Sequence, residues 1–225
     1  MKWLLQIINN KSRRPWSIHQ WLLLSAAFSI FLLLCRIVIV HKPGYVFLVW
    51  NLFLAFIPYY ISNRMSRNLQ NLKIKFKLLL VFSWLLFMPN SFYIITDLFH
   101  LDEMAAGHKW FDLTMILSFA WTGLLLGMIS IRRMEIILTT MKGKIFSSAV
   151  VCLVMWLNAF GIYIGRYLRF NSWDIITDPF SLFGEIFSIV FNPYDHRWVW
   201  AMTICFSFFM LIIYYTIKKM SEAFY

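Results

Sequence analysis

Residues 21–40 read WLLLSAAFSIFLLLCRIVIV, twenty positions that carry a single charge, Arg36. A helix rises about 1.5 Å per residue, so a run of this length matches the roughly 30 Å hydrocarbon layer of a bilayer. Five further stretches have the same character, at 45–61, 78–98, 113–131, 145–168 and 199–217. The second is short and holds Pro58. Inside lipid every backbone N–H and C=O must be paired without water, so an open chain can cross only as helices. The fold class that follows is all-α: a polytopic transmembrane helical bundle of about six spans, forming a single domain over residues 1–225.

Composition agrees with this reading. The chain has 225 residues, 61% hydrophobic and 20% aromatic, with a mean hydropathy of +0.69. Only 14% are charged, whereas a soluble domain uses about a quarter of its residues that way. The lipid bilayer is therefore the first partner. A formal charge of +11 would suit nucleic acid if it formed a stripe. Here the basic residues fall in short clusters between apolar runs, as membrane flanks do, and no nucleic-acid partner is expected. Cys35, Cys152 and Cys205 each lie inside an apolar run and form no disulfide or CxxC pattern. Before the first span, Trp3, Leu4, Leu5, Ile7 and Ile8 precede Lys11, Arg13 and Arg14, which suggests a short interfacial segment. The first span itself reads as a retained anchor, because no small-x-small cleavage site ends it.

Orientation follows from the basic residues. With six spans, 15 of 21 Lys and Arg fall on one side, in clusters around Arg13, Arg67, Lys75, Arg133, Lys144 and Lys218. The other side keeps Arg36, Lys42, Lys109, Arg166, Arg169 and Arg197. The positive-inside rule then puts both termini in the cytoplasm. Eight of ten acids lie on the outer side, all but Glu135 and Glu222. The inner basic clusters are read as fixing topology and meeting anionic lipid. Between spans five and six, Asp178-Pro179 is a cap and first-turn pair, and Asn192-Pro193 stops the apolar run that follows. The segment 179–191 is too short to cross and is expected to be an interfacial or re-entrant helix on the outer leaflet. Residues 90–97 (NSFYIITD) echo 171–178 (NSWDIITD), but their distances from the preceding basic flanks differ, so no internal repeat is inferred.

Polar residues at membrane depth are functional candidates by default. After Pro89 in the third span, Asn90, Tyr93, Asp97 and His100 recur at i, i+3, i+7 and i+10, one face of a helix, with Thr96 at its edge. Pro89 should kink the helix, with Asn90 re-satisfying a freed carbonyl. In the fifth span Asn158 and Arg169 share the stripe of Gly161 and Gly165, and Arg166 is offset by about a quarter turn. Gly161 and Gly165 form GxxxG, and Ala120, Gly123, Gly127 and Ser130 form a small stripe in the fourth span. The first expectation is that spans four and five pack closely through them. Asp97 should pair with Arg166 or Arg169, either as an interfacial ion pair that fixes topology or as part of a site for an anion.

Asp97, His100, Asp102, Glu103, His108 and Asp112 supply possible metal ligands within sixteen positions. Neither HExxH nor HxH occurs, and no metal or cofactor is assigned. GxSxG, GxxxxGK[ST] and GxGxxG are absent. Tryptophans and tyrosines near the span ends, such as Trp21, Tyr59 and Trp198, read as interface anchors without a ligand.

Two segments resemble a known family. Residues 88–101, MPNSFYIITDLFHL, resemble a PNxxYxxTDLxHL signature, and residues 161–174, GIYIGRYLRFNSWD, resemble GIYxGRxxRxNSWD. Both are marks of the bacterial membrane family called domain of unknown function 1361. The resemblance covers roughly spans two to six and implies a multi-pass protein of a bacterial cytoplasmic membrane. It implies no activity, substrate or cofactor.

Three functions stay open on these grounds. The first is binding or transport of a small polar or anionic ligand through an outward-facing pocket. Its walls would be Asn90, Tyr93, Thr96, Asp97 and His100 facing Asn158, Arg166 and Arg169, with Asn171, Trp173 and Asp174 as a rim. Small six-helix substrate-binding subunits of vitamin importers have a similar size, by analogy alone. The second is a membrane-embedded enzyme acting on a lipid or lipid-linked substrate, with Asp97 and His100 as acid and base and the arginines on a phosphate. The third is a scaffold for a membrane-protein partner.

Overall fold

The computed structural model describes residues 16–41, 43–101 and 109–223. The proposed interfacial segment at Trp3–Ile8 and its basic flank lie outside these residues, as do Lys42, Asp102, Glu103 and His108. Every regular element among the described residues is helical. The long helices are α1 (Ile18–Val40), α2 (Phe47–Asn68), α3 (Ile74–Tyr93), α4 (Lys109–Lys142) and α5 (Lys144–Arg166). After them come one turn, α6 (Asp174–Thr177), then α7 (Pro179–Phe191) and α8 (Arg197–Ala223).

Local chemistry marks several of these boundaries. Ser17 and Gln20 form a reciprocal capping box at the start of α1. Asp178 caps α7 by accepting from Ser181 N–H, with Pro179 in the first turn, and the helix ends at Phe191, as expected from its flanks. Phe180, Phe187 and Phe191 of α7 remain exposed while Leu182 and Ile189 are buried, the two-faced pattern of a helix lying along other helices.

α1, α4, α5, α8 and the segment Ile74–Leu101 are long and apolar enough to cross a membrane. α2, with 22 residues, is long enough but is less apolar, because it carries Asn51, Tyr59, Tyr60, Ser62, Asn63 and Arg64. Packing accommodates Tyr59 and Ser62, which are buried, while Tyr60 and Arg64 stay exposed. α2 lies between α3 and α4, and Leu48, Leu52, Ala55, Tyr59, Ser62 and Met65 are all buried there. The centre of the bundle is α4: 67% of its crossing segment is buried inside the protein, against 22% for α1 and for α8. One apolar core joins α1, α2 and the first half of α4, and a second joins α3, α5, α8 and the remainder of α4.

The third span departs from the expected helix. It is α-helical to Tyr93 and then tightens into a 3-10 helix over Ile94–Leu101. In a 3-10 helix residues three apart eclipse one another, so Asp97 and His100 stay on one face even though the 3.6 period has ended. Asn90 donates to the Phe87 carbonyl at 3.1 Å, while Ser172 donates to the Leu86 carbonyl at 3.2 Å. A side chain from the α5–α6 loop thus shares with Asn90 the satisfaction of carbonyls beside Pro89.

The glycines do not join spans four and five as expected. A Cβ on Gly161 would lie 2.7 Å from Pro89 Cγ, and one on Gly165 would lie 3.1 Å from the Tyr93 ring. On the other side of α3, a Cβ on Gly123 would lie 2.7 Å from Ile94 and one on Gly127 2.8 Å from Ser91. Both stripes therefore seat α3, which is clamped between α4 and α5 because its bulky Pro89, Phe92, Tyr93 and Ile94 need glycine opposite them.

Candidate functional site: a pocket centred on an arginine

Arg166 sits in the last turn of α5, and its planar fork of N–H groups reaches back to the 3-10 extension of α3. Nη2 donates to Asp97 Oδ1 at 2.5 Å, Nε to Thr96 Oγ1 at 2.9 Å, and Nη1 to His100 Nε2 at 2.8 Å. A guanidinium has no acceptor lone pair, so His100 Nε2 must accept and its proton lies on Nδ1. The guanidinium carbon also stands 4.5 Å from the centre of the Tyr93 ring. Asp97 is 1% exposed, and its second oxygen accepts from Asn51 Nδ2 of α2 at 2.8 Å. The Asp97 carboxylate is thereby held by two charge-assisted or amide hydrogen bonds from two different helices.

Around this cluster lies a partly open cavity of about 400 Å³, within the range of roughly 300–1,000 Å³ typical of ligand pockets. Its polar lining includes Asn51, Asn90, Asp97, His100, Arg166 and Ser172. Its apolar lining is larger and includes Phe82, Leu86, Leu157, Ile164, Phe170 and Phe183 from α3, α5, the α5–α6 loop and α7. Asn90 donates to Ser172 Oγ at 2.9 Å, joining α3 to the α5–α6 loop. Tyr45 donates to the His100 carbonyl at 3.2 Å, and Phe47 meets the His100 ring edge-on at 5.4 Å between centres.

Most of the residues selected from sequence meet here, but some do not. Asn90, Tyr93, Asp97, His100, Arg166 and Asn171 line the cavity, and Thr96 binds Arg166 behind it. Asn158 does not line it. It is fully buried, and neither its amide nitrogen nor its oxygen has a hydrogen-bond partner among the described residues. Arg169 does not pair with Asp97; it is exposed, in a left-handed conformation with φ of 61° just past the helix end. The termination of α5 at Arg166 breaks the periodicity that would have carried Arg169 onto the same face. Trp173 packs against Trp50, with ring centres 6.1 Å apart, and does not line the cavity. Asp174 shapes the loop: it accepts from the Asn171 backbone N–H at 2.6 Å and from the Thr177 hydroxyl at 2.8 Å. Those bonds, led by the Asn171 N–H, hold its carboxyl below the ordinary aspartate range.

The contribution of α2 (Phe47, Trp50, Asn51 and Leu54) was missed. Asn51, an amide within an apolar run, was the available signal. As for a metal, Asp97 and His100 both bind the Arg166 guanidinium, which occupies the position between them that a cation would need. Asp112 pairs with Arg36 instead, at 2.6 Å.

Fold and site together define a polytopic helical membrane protein with a cavity beside Arg166 among its helices. The chain belongs to the family described as Protein of unknown function (DUF1361), whose profile matches residues 50–213. No curated protein and no solved structure matches it. The matched range holds the whole Arg166 cluster, including Asn51, and leaves out Arg36, Tyr45 and Phe47.

Proposed function

We propose that this protein binds an amphipathic ligand taken from the membrane, with the ligand's polar head at Arg166, Asn90 and Ser172 and its apolar part along the α3–α5–α7 wall. The observation that carries this reading is the lining of the cavity: one space of about 400 Å³ is bordered by Asn51, Asn90, Asp97, His100, Arg166 and Ser172 and by a larger set of apolar side chains. A small polar solute would leave the apolar lining in contact with water, and a pure hydrocarbon would strand the polar groups. An acid–base role for Asp97 is less well supported. Both its oxygens are engaged and it is 1% exposed, so it serves better to hold Arg166 than to move protons. In the same reading the Arg166 end faces the outer side and the Lys218 end the cytoplasm of a bacterial membrane, because basic residues crowd the latter.

The test is saturable binding to the purified protein, with a short-chain phosphatidylglycerol as the whole amphiphile, glycerol phosphate as head alone and an alkane as tail alone. The whole amphiphile should raise the thermal midpoint saturably, each half should do so far less, and Leu157→Trp, which fills part of the apolar wall, should abolish the effect. Equal responses to glycerol phosphate and the amphiphile, or an unchanged response in Leu157→Trp, would overturn it.

A further inference from the structure

The opposite end of the bundle holds a second cavity that the Arg166 site does not touch. It occupies about 430 Å³ between the end of α2, the 3-10 turn Leu69–Asn71 and the last third of α4. Ser66, Arg67, Asn68, Gln70, Arg133 and Thr140 supply its polar lining, and no carboxylate is among its described lining residues.

Arg133 is the informative group. Its neighbour Arg132 is bound to Glu135, and the same Glu135 accepts from Tyr214 Oη at 2.6 Å and from Lys218 Nζ at 2.6 Å. The carboxylate two positions along α4 is therefore fully engaged elsewhere. The Arg133 guanidinium instead lies over the Tyr59 ring, 4.6 Å from its centre, and Tyr59 is fixed in turn by a hydrogen bond between its hydroxyl and His19 Nδ1. Arg133 Nη1 is buried and has no hydrogen-bond partner among the described residues. A buried, charged donor without an acceptor is costly, and a stacked guanidinium is held in place to offer two parallel N–H bonds to an oxyanion. The hydroxyls of Ser66 and Thr140 donate to carbonyls of their own helices, so the donors left facing the cavity are the two guanidinium groups and the amides of Asn68 and Gln70.

We propose that this cavity is an oxyanion site that takes a phosphate group on Arg133 and Arg67. The phosphate can belong to an anionic lipid headgroup or to a free phosphate in solution, since both present the same oxygens.

The experiment uses the full chain in nanodiscs. In discs of zwitterionic lipid alone, inorganic phosphate is titrated against chloride at equal ionic strength. In a second arm, phosphatidylglycerol is added to the discs without phosphate. A saturable rise in thermal midpoint with phosphate identifies the free anion, and one with phosphatidylglycerol alone identifies the headgroup. In whichever arm responds, Arg133→Gln should weaken the response about ten- to hundredfold, the loss of one charged hydrogen-bonding group. Arg67→Gln should weaken it less, and the exposed Arg64→Gln should leave it intact. If Arg133→Gln does not fold, Arg67→Gln against Arg64→Gln decides. No response in either arm, a response equal to that of chloride, or equal effects of Arg67→Gln and Arg64→Gln would overturn the proposal.

Discussion

Two arginines of this protein, one buried and one partly buried, each bind an aspartate, and they do different things. Arg36 of α1 binds Asp112 of α4 through Nε at 2.6 Å and Nη2 at 3.3 Å, and its guanidinium lies 4.3 Å from the Tyr45 ring centre. Its side chain is 2% exposed and neither partner lines a described cavity. Arg166 binds Asp97 at 2.5 Å over the Tyr93 ring, but its side chain is 11% exposed and borders a cavity. An arginine, a carboxylate and a tyrosine ring thus recur with nearly the same chemistry. What separates a helix staple from a candidate site is whether the guanidinium has empty space beside it.

The largest expected effect tests that separation. Asp112→Asn removes the carboxylate that Arg36 binds between α1 and α4 and, as the breaking of a buried ion pair, should cost about 3–5 kcal/mol, seen as lower yield and a depressed thermal midpoint in detergent. Arg166→Lys should cost less, about 1–3 kcal/mol, since a single ammonium cannot serve Thr96, Asp97 and His100 together. It should also weaken amphiphile binding about tenfold or more, whereas Arg36→Lys should change stability and leave binding unaltered. If Arg36→Lys and Arg166→Lys alter binding equally, the distinction drawn from the cavity fails.

A second test addresses how the Arg166 region is built. Gly161→Ala places a methyl 2.7 and 2.9 Å from Pro89 ring atoms, neither of which can rotate away. Overpacking of this kind costs about 1–3 kcal/mol, and it should push α5, and with it Arg166, away from α3. Gly184→Ala in α7 meets nothing within 4 Å and should be neutral or stabilising by about 0.5–1 kcal/mol, as a helical alanine is. Thermal midpoints of the two variants, read beside phosphatidylglycerol binding, check both statements.

What could be read from sequence divides along physical lines. Span positions were legible because hydropathy is additive over about twenty residues and needs no partner. The Asp97–Arg166 cluster was legible in outline, because ionisable residues at membrane depth are scarce enough to be paired by elimination. The choice between Arg166 and Arg169 was not, since it turns on α5 ending at Arg166 and the chain reversing through a positive φ at Arg169. The glycine stripes told that something packs close, not what: a small residue fits any neighbour, and here the neighbour is α3 for both. Asn51 and the Arg36–Asp112 pair escaped because each partner is more than forty positions away and neither belongs to a motif. The second basic cavity was hidden for the opposite reason. Basic residues are expected at that end, and only burial separates Arg133 from its neighbours.

The smallest expected effect concerns the loop that borders the Arg166 cavity through Phe170, Asn171 and Ser172. Asp174 holds the turn from Asn171 to Thr177, and the hydrogen bonds it accepts lower its pKa below the ordinary value, about 3.9. A carboxyl whose folded pKa is depressed contributes stability above its unfolded pKa and loses that contribution as pH falls through its folded pKa. The contribution is modest, because the group is near the surface and screened by solvent. Hydrogen-exchange protection of residues 171–178 should therefore fall as pH drops below about 4, while the buried α4 stays protected. Asp174→Asn should show reduced protection of that segment already at neutral pH and little further change in acid. Because Ser172 lines the cavity and bonds Asn90 and the Leu86 carbonyl, the same loosening should disturb the cavity wall, and amphiphile binding should weaken over the same pH interval. Protection that changes together in the loop and in α4 would mean the loop has no role of its own, and the Arg166 region would then be as rigid a staple as Arg36.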